Sequence, residues 1–408
     1  MEITLLRPEF KNSITAPSSK SHLIRLIVCA LLSERGARIY YDGSLSDDIL
    51  AAVNCAEALG AEIRLTDGCI TLIPPANLRQ NAVLDCRSSG TVLRFFLCVC
   101  AVLGIKAELR FSEQLAARPH KPLIDALSAN GAVIETEDAC IRVVQGVSGT
   151  DFSVGGNISS QYISGLLLAS CVHGSRITLT SPLQSADYVK MTEEVLSMFG
   201  CRTVYHCGVY TVPEAVFPAD MTVCRAEGDF SNAAYALIGG AIGKKAVSVF
   251  GLNADNAQGD GKILRILKEN GVKIEEKDDK ITVFPSVFHG FSLSGADIPD
   301  LVPPLCVLAS RANGDTVITD VERLKYKETD RIRSTVNLIN SLGGKAEYKN
   351  GSLFIKGKEL YGGKVNGEND HRTVMTATLA ATVCENEVAI SCAEAVNKSF
   401  PSFFSQFK

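Results

Sequence analysis

The sequence predicts an α/β (α+β) protein built from six copies of one unit of about 70 residues. Two periodicities and one feature of composition lead to it. A glycine between an amphipathic segment and a short strand recurs at Gly60, Gly131, Gly200, Gly271 and Gly343, in steps of 71, 69, 71 and 72. A polar turn that opens an apolar helix recurs at Ser19, Ser89, Ser160, Ser231, Leu301 and His371, in steps of 70, 71, 71, 70 and 70. Near-equal spacing in two phases is the mark of a repeated supersecondary unit. The 408 residues are 46% hydrophobic and 21% charged, enough apolar material for a large core.

The glycines, in ALGAEIRL, ANGAVIET, MFGCRTVY, ENGVKIEE and SLGGKAEY, suit the left-handed residue that ends a helix before a strand begins. The helices opening at the polar turns, such as SSKSHLIRLIVCALL and SSGTVLRFFLCVCAVL, are apolar on nearly every face and are expected to be buried. About 27 residues further on a second, amphipathic helix begins, at Ser46-Asp47-Asp48, Arg118-Pro119, Tyr188, Gln258-Gly259-Asp260, Lys327-Glu328-Thr329-Asp330 and Lys398. The unit therefore reads strand, buried helix, strand, surface helix, then one or two strands. The sixth copy lacks its second helix and closing strands, so residues 2–6 are expected to complete it.

Forty-one basic against forty-five acidic side chains, a formal net charge of −4, argue against a nucleic-acid surface. No apolar run reaches the ~20 residues of a membrane span, and no secretory signal is visible. Most of the fourteen cysteines lie in apolar segments, with no CxxC pair and no Cys/His cluster at zinc spacing. A reducing cytoplasm is the expected setting. No P-loop, GxGxxG, GxSxG or HExxH motif is present, so no nucleotide, cofactor or metal is expected.

The chemistry concentrates at the helix starts: Lys20, Arg25, Arg94, Arg118, Lys327, Arg331, Arg372 and Lys398, with the acids Asp229, Asp300, Glu328 and Asp370. Cations at a helix N-terminus oppose the helix dipole, and Arg25 and Arg94 sit within apolar helices. An anionic ligand resolves both conflicts. Glu328, placed among cations in KETDR, is a candidate proton carrier. Asp229 and Asp370 read equally as plain helix caps. The residues alone point to a two-lobed enzyme acting on polyanionic small molecules.

At these residues the chain resembles the enolpyruvyl transferases, in particular the 5-enolpyruvylshikimate-3-phosphate (EPSP) synthase family, over essentially its whole length. The resemblance is carried by PSSKSHLIR, SSGTVLR, ARP, SSQY, EGDFSNAAY, QGD, IPD, KETDR, NDHR and NKSFPSFF. It implies two lobes of three βαβαββ repeats, 18–226 for the first and 1–17 plus 227–408 for the second, with the active site in the interlobe cleft. It implies transfer of the enolpyruvyl group of phosphoenolpyruvate to the 5-hydroxyl of shikimate 3-phosphate, by addition and elimination through a tetrahedral intermediate, in a monomer.

Carried over by position, Lys20, Ser21, Arg25, Ser159, Ser160, Gln161, Ser185, Tyr188, Asp300 and Lys327 correspond to shikimate 3-phosphate contacts. Lys20, Gly90, Arg118, Gln161, Arg331, Arg372 and Lys398 correspond to phosphoenolpyruvate contacts. Asp300 is implied as base for the hydroxyl and Glu328 as proton donor, with Lys20 assisting. The chain departs from the family pattern at Ser18, Ser88, Phe95 and Arg323. Two alternatives remain. The sister transferase acting on UDP-N-acetylglucosamine typically has Lys-Asn where Lys20-Ser21 stand and a cysteine in the loop that here reads SEQLAARPHKP. A non-catalytic anion-binding homologue would keep the cations but lose the proton carriers.

Overall fold

The computed structural model describes residues 1–408. They form two compact units. One contains Ser18–Tyr41 and Asp47–Ala226, the other Met1–Pro17, Asp42–Ser46 and Glu227–Lys408. In the first lie α1 (Lys20–Leu32), α2 (Asp47–Ala58), α3 (Gly90–Val102), the single turn α4 (Glu113–Ala116), α5 (Lys121–Ser128), α6 (Ser160–Ser170) and α7 (Ala186–Met198). In the second lie α8 (Phe230–Ile242), α9 (Lys262–Glu269), α10 (Val302–Ser310), α11 (Arg331–Ser341) and α12 (His371–Ala381).

Helices α1, α3, α6, α8, α10 and α12 open the six repeats and are the buried ones. In α3 every residue from Gly90 to Ala101 is buried, and in α12 every residue is. Each large aliphatic or aromatic side chain so removed from water contributes ~1.5–3 kcal/mol before entropy is counted. Their starts are fixed locally. Ser19, Ser89, Ser159, Asp229 and Asp370 each accept a backbone N–H of the first turn. α10 instead has Pro303 and Pro304 in its first turn, where their missing N–H groups cost nothing. In the sixth repeat a 3-10 segment, Ala393–Lys398, takes the place of the second helix.

Five of the six small sheets have four strands in the same order, and the sixth has three. In the second repeat Ala82–Asp85 runs parallel to Ala107–Arg110, and the hairpin Val133–Glu137/Cys140–Gln145 adds its second arm antiparallel to Ala107–Arg110. The sixth sheet is completed by Glu2–Leu5, antiparallel to Val388–Ser391.

The units are not simply consecutive, as the spacing alone suggested. Ser13–Thr15, which leads into α1, pairs with Val247–Phe250 of the fourth repeat. Thr222–Arg225, which leads into α8, pairs with Ala37–Tyr40 of the first. The two strands stand in the same phase, 225 − 15 = 210 residues apart, so each fills the position the other would take in an uninterrupted repeat.

All five repeat glycines have positive φ, from 83° at Gly200 to 105° at Gly60, as a left-handed cap requires. They differ in the space around them. A Cβ at Gly200 would lie 1.9 Å from the Val216 carbonyl oxygen, whereas one at Gly271 would lie 3.8 Å from that of Val287. Gly271→Ala should therefore cost about 1 kcal/mol, the backbone penalty alone, and Gly200→Ala roughly 3 kcal/mol or more as the loop is pushed away. Urea denaturation of the two variants checks the order; equal losses would show that the contact is relieved without cost.

Candidate active site

In the first unit the helix starts carry a cationic set in which the buried arginines are held by neutral partners and Lys20 by a carboxylate. Lys20, the first residue of α1, donates to Asp48 of α2 at 3.0 Å. One turn later Arg25 is only 1% exposed. Its Nε donates to Thr192 Oγ1 at 2.7 Å, Nη1 to the Ser21 carbonyl at 2.7 Å, and Nη2 to Ser164 Oγ and the Tyr188 carbonyl at 3.2 and 3.0 Å. Its guanidinium carbon lies 5.2 Å from the Phe95 ring centroid. Burial lowers its pKa to about 10, partly offset by Tyr188 and Cys29, so it remains a cation at neutral pH. These bonds tie α1 to α6 and α7.

Arg94 of α3 is equally buried. It donates to Gln161 Oε1 and, at 3.0 Å, to the Pro119 carbonyl, and it stacks 5.3 Å from the Tyr162 ring centroid. Gln161 passes the chain on to Thr91 Oγ1 at 2.9 Å. Gln161 is thereby fixed between two helix starts. A Cβ at Gly90 would lie 2.8 Å from Arg118 Nη1, so a side chain there would displace the Arg118 guanidinium. Ser159 and Ser160 stand at the start of α6, where Ser159 Oγ accepts from Gln161 N at 3.3 Å. Ser185, just before α7, is held at φ 54° and ψ 47°, a left-handed conformation that non-glycine residues adopt only when their surroundings enforce it.

In the second unit the partners are acids, and Arg331 is the hub. It is 2% exposed. Nε donates to Asp370 Oδ2 at 2.8 Å, Nη1 to Asp300 Oδ1 at 2.7 Å, and Nη2 to Glu328 Oε2 and Asp370 Oδ1 at 2.5 and 3.2 Å. Four of the hydrogen bonds its five N–H groups allow are thus made to carboxylates. Burial disfavours its charge, but Asp370, Glu328 and Asp300 outweigh that and hold its pKa well above the usual value.

Asp300 also lies 3.6 Å from both Lys327 Nζ and Arg372 Nη2. Burial pushes its pKa up. Lys327, Arg372 and Arg331 together reverse this and hold it well below the usual carboxylate value. Burial lowers Lys327 to about 8, against the opposing pull of Asp300. Arg372 donates to the Ser231 carbonyl at 2.6 Å and lies 6.0 Å from the Tyr235 ring centroid. Lys398 ends the segment Ala393–Lys398 and is half-buried.

Within each unit, then, the expected residues gather at helix starts: Lys20, Ser21, Arg25, Gly90, Arg118, Ser159, Ser160, Gln161, Ser185 and Tyr188 in one, Asp300, Lys327, Glu328, Arg331 and Arg372 in the other. The residues that hold them are largely ones the sequence reading left aside. Asp48 grips Lys20, and Ser164 and Thr192 grip Arg25. Asp370 caps α12 through Arg372 N at 2.8 Å while holding Arg331. Asp48 and Asp370 were visible as acids at helix starts; Ser164 and Thr192 carried no signal. Of the departures, Phe95 is fully buried beneath Arg25, and Ser88 Oγ donates to Ser112 Oγ at 3.1 Å.

The EPSP synthase (3-phosphoshikimate 1-carboxyvinyltransferase) family model matches residues 7–407. Two relatives named 3-phosphoshikimate 1-carboxyvinyltransferase, from Clostridium kluyveri and Halobacterium salinarum, are 33% and 35% identical to this chain. The matches cover 98% and 99% of this chain and 95% and 97% of the relatives. Among solved structures, an EPSP synthase from Acinetobacter baumannii aligns with a TM-score of 0.81 at 22% identity, over 99% of this chain and 97% of that one. The enolpyruvyl transferase NikO from Streptomyces tendae aligns with a TM-score of 0.79 at 14% identity, over 99% and 96%. At these identities the two structures establish the fold.

Two outcomes follow from the site. Asp370→Ala takes from the buried Arg331 two of its four hydrogen bonds to carboxylates and removes a helix cap, so it should destabilise the protein by about 3–5 kcal/mol in denaturant melts. The Lys327 ammonium should titrate near pH 8, against 10.5 for a free lysine. Its folded value lies below the unfolded one, so unfolding takes up a proton between pH 8 and 10.5, and this group's destabilising effect fades as pH rises through that window. NMR of the 13C-methylated protein, assigned with Lys327→Arg, reads the midpoint; a value at or above 10 contradicts the burial argument.

Proposed function

The chain belongs to the EPSP synthase family, and we propose that it transfers the enolpyruvyl group of phosphoenolpyruvate to the 5-hydroxyl of shikimate 3-phosphate and releases inorganic phosphate. This is a step of the shikimate pathway, which leads to chorismate and the aromatic amino acids. The observation that carries the reading is the placement of Asp300 and Glu328 on one buried guanidinium, that of Arg331, with Lys327 and Arg372 beside Asp300. Two carboxylates are held in fixed positions among cations, as a reaction needs when one proton is removed and another delivered.

In the addition step the 5-oxygen bonds to C2 of phosphoenolpyruvate, Asp300 takes the hydroxyl proton, and Glu328 delivers a proton to C3. In the elimination step C3 returns a proton to Glu328, the C2–O bond to phosphate breaks, the double bond re-forms, and the proton held by Asp300 passes to the departing phosphate. Ser159, Ser160 and Ser185 take the 3-phosphate, and Lys20, Ser21, Arg25, Gln161 and Tyr188 complete the acceptor's contacts, with Asp300 and Lys327 on its hydroxyls. Gly90, Arg118, Arg331, Arg372 and Lys398 serve the donor, with Lys20 and Gln161 common to both. Two polyanions repel in water. Fixing both beside cations offsets that repulsion, and near-attack alignment can remove ~7–11 kcal/mol of barrier. The same fixed charges then stabilise the departing phosphate.

An assay of phosphate release with both substrates tests the reading. Release that depends on phosphoenolpyruvate and shikimate 3-phosphate together is expected; release with UDP-N-acetylglucosamine instead would replace it. Glu328→Gln should lower kcat about 10²–10⁴-fold while the Kd for shikimate 3-phosphate changes little. A variant that lost only affinity would remove Glu328 from proton transfer.

A further inference from the structure

Behind Arg372 lies a second buried acid to which the reaction above gives no part. Asp260 sits in the 3-10 turn Gly259–Gly261 that leads into α9 and is 2% exposed. Its Oδ2 accepts a hydrogen bond from Ser231 Oγ, and its Oδ1, equally buried, makes no hydrogen bond. Ser231 has a second contact: its carbonyl oxygen accepts from Arg372 Nη1 at 2.6 Å. One residue in the first turn of α8 therefore joins the acid to the arginine. Arg372 Nε is buried without a hydrogen-bond partner, a donor left over for a ligand.

We propose that Asp260, held by Ser231, is a positioning residue whose charge sets how strongly Arg372 holds the anionic donor. The inference rests on the enolpyruvyl transfer proposed above. The groups facing Asp260 are Asp229 and Ser231 at the start of α8, Asp300 ahead of α10, and Arg372 on α12. Burial, then the nearby Asp300, pushes the Asp260 carboxyl up to about 7; the Ser231 bond and Arg372 pull it down, and Asp229 adds to the rise. Below that pH the group is neutral. Arg372 then has Asp300 as its nearest carboxylate, one that it shares with Arg331 and Lys327. Above that pH Asp260 is an anion. A further negative charge, beside those of Asp300 and Asp229, then competes with the phosphate or carboxylate of the donor for the same guanidinium.

The test is the KM for phosphoenolpyruvate from pH 6 to 8.5, at saturating shikimate 3-phosphate. The unaltered protein should show a rise of roughly five- to tenfold with a midpoint near 7, and a smaller change in kcat. Asp260→Asn, neutral at every pH, should keep the low KM throughout. Ser231→Ala removes a bond that favours the carboxylate, so its rise should move to higher pH. The donor's own phosphate ionisation is common to all three proteins and cancels in the comparison. An Asp260→Asn profile matching the unaltered one would overturn the proposal, as would a Ser231→Ala rise that stays put or moves to lower pH. If Asp260→Asn melts early, the Ser231→Ala shift decides. If no phosphate is released at any pH, the transfer reading fails, and calorimetric titration with phosphoenolpyruvate gives the same comparison as Kd.

Discussion

A guanidinium withdrawn from water has to be given partners, because an isolated buried charge costs several kcal/mol. Four of them, on Arg25, Arg94, Arg331 and Arg372, lie almost wholly inside the two units, each on or at the start of a helix. Much of what surrounds them answers that demand. The units meet it differently. Arg25 and Arg94 are held by hydroxyls, backbone carbonyls, an amide and aromatic faces, so their positive charge is kept. Arg331 is held by three carboxylates and Arg372 lies close to one of them. One unit thus retains a field that attracts anions, and the other stores acids whose ionisation the arginines control. Affinity and proton chemistry are separated by the type of partner chosen.

Features set by local sequence were legible before the fold was known. A glycine ending a helix and a serine or aspartate beginning one act over three or four residues, and their spacing exposed the sixfold repeat. Helices without a polar face, such as α3 and α12, announced their burial. The clustering of cations at helix starts was legible for the same reason. Partner choice was not. Arg25 bonds to Thr192, 167 residues away, and Arg331 to Asp370, 39 away. No local rule links them, and Asp370 read as well as a cap, which it also is. Asp260 stood in plain view in QGD, but only its burial against Ser231 separates it from a solvated turn residue. The exchange of Ser13–Thr15 and Thr222–Arg225 was hidden by the periodicity itself, since strands in the same phase fit either sheet equally well.

That exchange also governs the order in which the protein can be made. Ser13–Thr15 emerges early, yet its partner Val247–Phe250 follows 247 − 13 = 234 residues later, a wait of roughly ten to fifty seconds at ordinary rates of synthesis. Glu2–Leu5 must wait for Val388–Ser391, nearly the whole chain. Until then both short strands offer unpaired backbone edges, the surfaces most prone to mispairing. The other unit can close once Thr222–Arg225 has left the ribosome. The chain's first residues thus belong to the unit that folds last, and ribosome-bound chains ending before residue 247 should hold them as an unfolded tail.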